Sequence, residues 1–176
     1  MEILPAVSDD TPKIFELYDK AIAFQQTVFD KTWISFAPEQ VAAEIAEQRL
    51  WKIVDNDQIA NIFSITYSDP ILWGERSNAP AMYIHRIVTD PQFRGRGYVQ
   101  AITDWAIQHA GNNGLRFVRM DTWSDNQKLL DYYQNCGFKF LGNVTPAESD
   151  TLPPHYRGLS LALLEIDLQG HDPATV

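Results

Sequence analysis

The chain has 176 residues and a mass of 20.1 kDa, with 45% apolar and 21% charged residues; that composition can bury a core and excludes a disordered, collagen-like or disulfide-framework chain. No run reaches the roughly 18 apolar residues of a membrane span, and MEILPAVSDD has neither the basic start nor the apolar core of a secretory leader, so a cytoplasmic location without membrane partners is expected. Fourteen basic against 23 acidic residues give a net charge of −9, which repels phosphate backbones, argues against nucleic-acid partners and favours cationic encounter partners such as amines.

In chain order, residues 2–7 read as a short edge strand with an early proline. Asp10-Thr11-Pro12 reads as a helix start with a capping side chain, and Ile14, Leu17, Tyr18, Ala21 and Ile22 follow at amphipathic helical spacing. Ala37-Pro38 starts a second helix, with Val41, Ile45 and Ala46 on one face. Residues 50–54 and 59–65 are β-rich runs around Asp55-Asn56-Asp57, the pattern of a hairpin. Pro70, Gly74 and Pro80 mark 66–80 as a loop. Residues 82–89 read as a strand stopped by Asp90-Pro91, and a helix from about Gly97 to Ala110 ends in Gly111-Asn112-Asn113-Gly114. A strand over 115–122, a helix over about 126–136 closed by Gly137, and strands over 138–144 and 159–168 complete the chain. Without repeats or a linker, one domain over 1–176 is expected. Interleaved helices and strands, with both hairpins and crossovers, predict an α/β (α+β) fold around a mixed sheet.

The chemically informative stretch is strand–turn–helix: Ile87-Val88-Thr89-Asp90-Pro91-Gln92-Phe93-Arg94-Gly95-Arg96-Gly97-Tyr98-Val99. Two glycines before a helix let backbone approach a ligand and leave the first N–H groups unpaired, a setting that suits a pyrophosphate with Arg94 and Arg96 as added donors. There is no Gly-Lys-Ser/Thr of a P-loop, and the third glycine of a dinucleotide fingerprint is missing. The competing reading is a glycine turn with two solvated arginines.

Arg94-Gly95-Arg96-Gly97-Tyr98-Val99, with Pro91 ahead of it, resembles the phosphate-binding signature Gln/Arg-x-x-Gly-x-Gly/Ala of the GNAT superfamily of acyl-CoA-dependent N-acyltransferases. A second block, from Asn126 through Tyr133 to Gly137-Phe138, is similar to that family's Asn-x(6)-Tyr-x(3)-Gly-Phe pattern. The likeness is close over about 81–138 and elsewhere extends only to element order. Val99 stands where the family has glycine or alanine; it opens a stripe with Ile102 and Ala106 and is expected to point into the helix–sheet core. The resemblance implies a mixed sheet of about six to seven strands flanked by about four helices.

It further implies transfer of an acetyl group from acetyl-CoA to an amine, with no metal. Residues Arg94, Gly95, Arg96, Gly97, Tyr98 and Val99 would anchor the pyrophosphate. The backbone of Ile87, Val88 and Thr89 would pair with the pantetheine arm, an N–H near Val88 would polarise the thioester oxygen, and Asn126 would contact the pantetheine. Tyr133 would protonate the departing thiolate, since a phenol stays protonated at neutral pH. Asn126 and Tyr133 lie two helical turns apart on one face, about 10 Å; serving the helix start and packing in the core are their alternative readings. His85 is the candidate base for the acceptor ammonium, because imidazole titrates near neutrality; alternation puts it on one face with Tyr83, Ile87 and Thr89, and a hydrogen-bonded strand histidine is the other reading. Asp121 and Asp125 are weaker candidates. Glu75 and Pro153-Pro154-His155-Tyr156-Arg157, with Trp33 and Trp73, could border the acceptor.

Other constellations fail. Four histidines (His85, His109, His155, His171) lack metal-ligand spacing, Cys136 reads as a small packed residue, and no Gly-x-Ser-x-Gly elbow exists. A small-molecule or peptide amine acceptor is expected, with a homodimer as the common family assembly. The alternative function is a non-catalytic acyl-CoA-binding or interaction module on the same fold.

Overall fold

The computed structural model describes residues 1–29, 32–147 and 157–170. Its strands are β1 (Glu2–Pro5), β2 (Leu50–Asp55), β3 (Gln58–Thr66), β4 (Ala81–Thr89), β5 (Phe117–Trp123), β6 (Lys139–Val144) and β7 (Leu161–Asp167). Its α-helices are α1 (Thr11–Val28), α2 (Pro38–Ala46), α3 (Pro70–Trp73), α4 (Tyr98–Asn112) and α5 (Gln127–Asn135). The strand order is β1-β2-β3-β4-β5-β7-β6. β4 runs parallel to β5, whereas β1/β2, β2/β3, β5/β7 and β6/β7 are antiparallel, so the sheet is mixed as expected. No helix among the described residues is long and apolar enough to cross a membrane.

Two compact units share the chain. Met1–Ile65 and Arg86–Tyr98 form one; Thr66–His85 and Val99–Val176 form the other. In the first, Asn56 (φ +51°) and Asp57 (φ +59°) make the two-residue turn joining β2 to β3, and a right-handed strand twist favours such a mirror-image turn. Ile14, Leu17 and Tyr18 of α1 and Val41 and Ile45 of α2 pack with Leu50, Ile62 and Val88 into one apolar cluster. Pro5 lies on the outermost strand, where its missing N–H costs no ladder bond.

In the second unit, Leu72 and Trp73 pack with Ala81, Tyr83, Phe117, Leu161 and Leu163. The guanidinium of Arg119 is buried among them; it donates to Glu165 (2.8 Å), to the Tyr83 hydroxyl (3.0 Å) and to the Arg76 carbonyl (2.7 Å). A buried charge needs such partners, which identifies Arg119 as a structural residue.

Several expectations need correcting. Residues 66–80 are not an open loop: they contain α3, one of five α-helices among the described residues, and a 3-10 turn over Gly74–Asn78. The signal was Asp69-Pro70, an acceptor side chain before a proline at the first helical position, and Asp69 Oδ1 does accept from the Leu72 N–H at 3.4 Å. Asp10, by contrast, does not cap α1; its Oδ2 accepts from Val7 N (2.8 Å) and Lys52 Nζ (2.6 Å). On α2, Ala46 is exposed and Glu44 is buried in its place. Trp73 lies in the core of the second unit, not in an acceptor loop.

Candidate active site

The turn before α4 is built from its strand outward. Asp90 ends β4, its N–H donates to the Ala60 carbonyl (2.9 Å), and its Oδ1 caps the 3-10 turn Pro91–Phe93 by accepting from Gln92 N (3.1 Å). Its other oxygen receives Lys13 (2.9 Å) and Lys20 (3.2 Å) from α1. Burial alone would raise this carboxyl's pKa, but the hydrogen bonds from Lys13, the Gln92 amide and Lys20 win and hold it below the ordinary aspartate range. Phe93 then turns inward, and Arg94 to Gly97 are exposed.

Gly95 (φ +80°) and Gly97 (φ +73°) occupy left-handed backbone, with no atom within 4 Å of where a Cβ would stand. The conformation, not crowding, requires glycine there. Among the described residues, the N–H groups of Gly95, Arg96 and Gly97 meet no protein acceptor. The arginines are steered by neighbours: Arg96 donates to Asp55 Oδ2 (2.9 Å) and stacks over Phe93, while Arg94 lies over the Phe24 ring (4.4 Å). Tyr98 is buried, and its hydroxyl donates to the same Asp55 oxygen (2.6 Å). Burial and that hydrogen bond push the Tyr98 phenol up to about 12. An exposed bend with open backbone donors at the head of a 15-residue helix fits an anion of pyrophosphate type.

β4 is not a regular strand. Arg86 has φ +53°, left-handed for a residue with a side chain, so alternation cannot be counted across it from His85 to Ile87. Its guanidinium ion-pairs with Glu44, donates to Ser64 (2.9 and 3.1 Å) and lies over the Phe36 ring (4.9 Å). Beyond it, Val88 enters the apolar cluster of the first unit, Ile87 is half-buried, and the Thr89 hydroxyl accepts from Asn61 Nδ2 (2.7 Å).

In the second unit, β5 brings Asp121 to His85. The His85 Nδ1 lies 3.9 Å from Asp121 Oδ1, and its Nε2 lies 3.0 Å from the Thr66 hydroxyl. Asp69 joins them: one ligand-type atom from each of Asp69, His85 and Asp121 falls within 4.8 Å of the others. Burial, then the charge of Asp69, pushes the Asp121 carboxyl up to about 7. Tyr133, on α5, is buried; burial comes first, with Tyr132, Asp121 and Cys136 adding to it, in raising its phenol far above the ordinary value. Asn126 caps α5, its Oδ1 accepting from Leu129 N (3.2 Å).

The second unit therefore brings His85 beside Asp121 and holds Tyr133 buried on α5, whereas Asp125, Glu75 and Arg157 are exposed. Residues 153–156, including His155, lie outside the described residues. Thr66 and Asp69 were missing from the sequence reading. A helix-start signal at Asp69-Pro70 could have flagged the aspartate; nothing local marks Thr66. Val99 is half-buried on α4, with Ile102 and Ala106 fully buried on its stripe.

Known proteins agree with this arrangement of elements. Residues 15–138 match the model of the acetyltransferase (GNAT) family. The chain is 21% identical over 151 residues to the uncharacterized N-acetyltransferase YesJ of Bacillus subtilis (strain 168), covering 78% of this chain and 81% of YesJ. A GNAT-family acetyltransferase of Listeria monocytogenes 4b F2365 has the same fold, with a TM-score of 0.75 at 18% identity over 94% of each chain. So does yncA of Salmonella typhimurium, solved with its cofactor acetyl-CoA, with a TM-score of 0.70 at 15% identity over 98% of this chain and 96% of that one. A motif-bearing turn, the sheet order and a family match over most of the chain converge: this protein belongs to the acetyltransferase (GNAT) family of acyltransferases.

Proposed function

We propose that the chain, as one transferase domain over 1–176, moves an acetyl group from acetyl-CoA to a primary amine by direct attack in a ternary complex. The observation that carries this reading is the exposed two-glycine turn, whose N–H groups stand open at the head of α4. When bound, acetyl-CoA supplies an acetyl group activated as a thioester. The amides of Gly95, Arg96 and Gly97, with the first-turn amides of Tyr98 and Val99, bind the pyrophosphate, and Arg94 and Arg96 add charge. The backbone of Ile87, Val88 and Thr89 pairs with the pantetheine amides, and the Val88 N–H donates to the thioester oxygen as charge develops there. Asn126 keeps its Nδ2 for the pantetheine because capping uses only Oδ1.

His85 takes the proton of the acceptor ammonium, which frees the nitrogen lone pair to form the new C–N bond. Tyr133 holds a proton at its hydroxyl for the sulfur as the C–S bond breaks. A phenol raised by burial is fully protonated at neutral pH and so is loaded for that transfer. A cytoplasmic location is part of this reading, and the net charge of −9 supports small or peptide cationic amines, and not nucleic acid, as partners.

The test pairs calorimetric titration with acetyl-CoA and a thiol-release assay against a panel of amines. Saturable binding together with amine-dependent thiol release is the expected result. Binding without release from any amine would make the chain a carrier-binding module, and no binding at millimolar acetyl-CoA would remove the turn from the site.

A further inference from the structure

We propose that Asp69, His85 and Asp121 form a binding site for a divalent transition-metal ion of the zinc or cobalt type. Their ligand-type atoms lie within 4.8 Å of one another, although they come from three separate segments: the residue before α3, the middle of β4, and β5. Histidine spacing along the chain does not reveal such a set, because no two ligands share one helix or loop.

The donor chemistry selects the ion. Two carboxylates and an imidazole suit zinc, cobalt or nickel, whereas an all-oxygen set would suit magnesium or calcium. Geometry agrees. Zinc bonds of about 2.0–2.1 Å set neighbouring ligand atoms about 3.4 Å apart, and His85 Nδ1 stands 3.9 Å from Asp121 Oδ1, too far for a hydrogen bond and within a small side-chain rotation of that edge. Thr66 lies 3.0 Å from the other ring nitrogen, as an outer partner that fixes the imidazole with Nδ1 turned to the carboxylates.

A second observation points to a cation. Asp69 Oδ2 is buried and meets no donor among the described residues, and neither Asp69 nor Asp121 has a lysine or arginine partner there. Two carboxylates this close, one with a fully buried oxygen, are costly unless a proton or a metal cation joins them, and a bound ion would supply that charge. Three protein ligands leave a fourth position for water or another small ligand. A bound ion would occupy the imidazole that acetyl transfer uses as its base, so metal binding and proton transfer at His85 exclude one another; failure of the metal proposal would leave that reaction as proposed above.

The experiment titrates the full chain with Co2+ near neutral pH, following visible absorption and heat, for the wild type and for His85→Gln, Asp69→Asn, Asp121→Asn and the control His155→Ala/His171→Ala. One equivalent is expected to bind, with affinity at least about tenfold weaker in each ligand variant and unchanged in the control. Because ligand variants can misfold, Zn2+ protection of His85 against carbethoxylation is mapped in the wild type, and protection is expected. Absence of binding at millimolar Co2+, equal binding by the folded ligand variants, or unprotected His85 would overturn the proposal.

Discussion

The hydroxyl of Tyr98 donates to Asp55 Oδ2 over 2.6 Å, so the first residue of α4 is fastened to the last residue of β2. Arg96 reaches the same oxygen at 2.9 Å. One carboxylate therefore turns two side chains of the glycine turn aside and leaves its main-chain donors outward. Replacing Asp55 by Ala should loosen that pose and weaken acetyl-CoA binding about three- to tenfold through lost preorganisation. Calorimetry on a variant with unchanged circular dichroism checks this; equal affinity would show that the turn holds itself.

Gly97 has φ +73° and open space around its missing Cβ. Alanine there should cost about 1–2 kcal/mol in stability from backbone strain alone. Relaxation of the turn should lower acetyl-CoA affinity by tenfold or more as well, on the order of what displaced anion donors are worth. Thermal unfolding without ligand and titration with ligand separate the two effects.

Tyr133→Phe keeps the ring that packs near Phe138 and removes the proton. Turnover should fall by about tenfold or more, within the ordinary range for loss of an acid catalyst, while acetyl-CoA affinity stays nearly constant. Unchanged turnover in the thiol-release assay would make the phenol a core residue.

Asp90 governs acid stability. Its pKa lies below the ordinary aspartate value in the folded chain, so the unfolded chain binds its proton first as pH falls. The stabilisation is complete above the unfolded value and disappears as pH drops through the lower folded value. Asp90→Asn should therefore lower stability by about 1–2 kcal/mol at neutral pH, the scale of charge-assisted hydrogen bonds. The gap between the two melting curves should close as pH falls through the lowered folded value. A gap that persisted at the acid end would assign the loss to packing.

Legibility followed locality. The hairpin turn at Asn56-Asp57, the start of α2 at Pro38 and the two-glycine turn before α4 are short-range patterns, and the chain folds at those places as they demand. Asn126 too was readable as a helix start. The site around His85 was only half readable, because its partners come from distant segments: Asp121 across a parallel strand pair, Asp69 from a helix start hidden in an apparent loop. Tertiary burial decided the rest. Glu44 lies where the apolar pattern of α2 would have put Ala46, since Arg86 needs an anion inside. Nothing in Ile84-His85-Arg86-Ile87 announces a left-handed arginine, because that conformation is imposed by contacts made far along the chain.

The left-handed backbone at Arg86 costs about 1–2 kcal/mol for a residue bearing a side chain. It persists because Glu44 of α2 and Ser64 of β3 grip the guanidinium. The end of β4 can hold its bend only while α2 is seated, so these two segments open and close as one cooperative piece. Amide hydrogens of α2 and of Ile87–Thr89 should then exchange with deuterium at a shared rate, a fingerprint of a fold in which one helix keeps the shape of the strand that leads into the two-glycine turn.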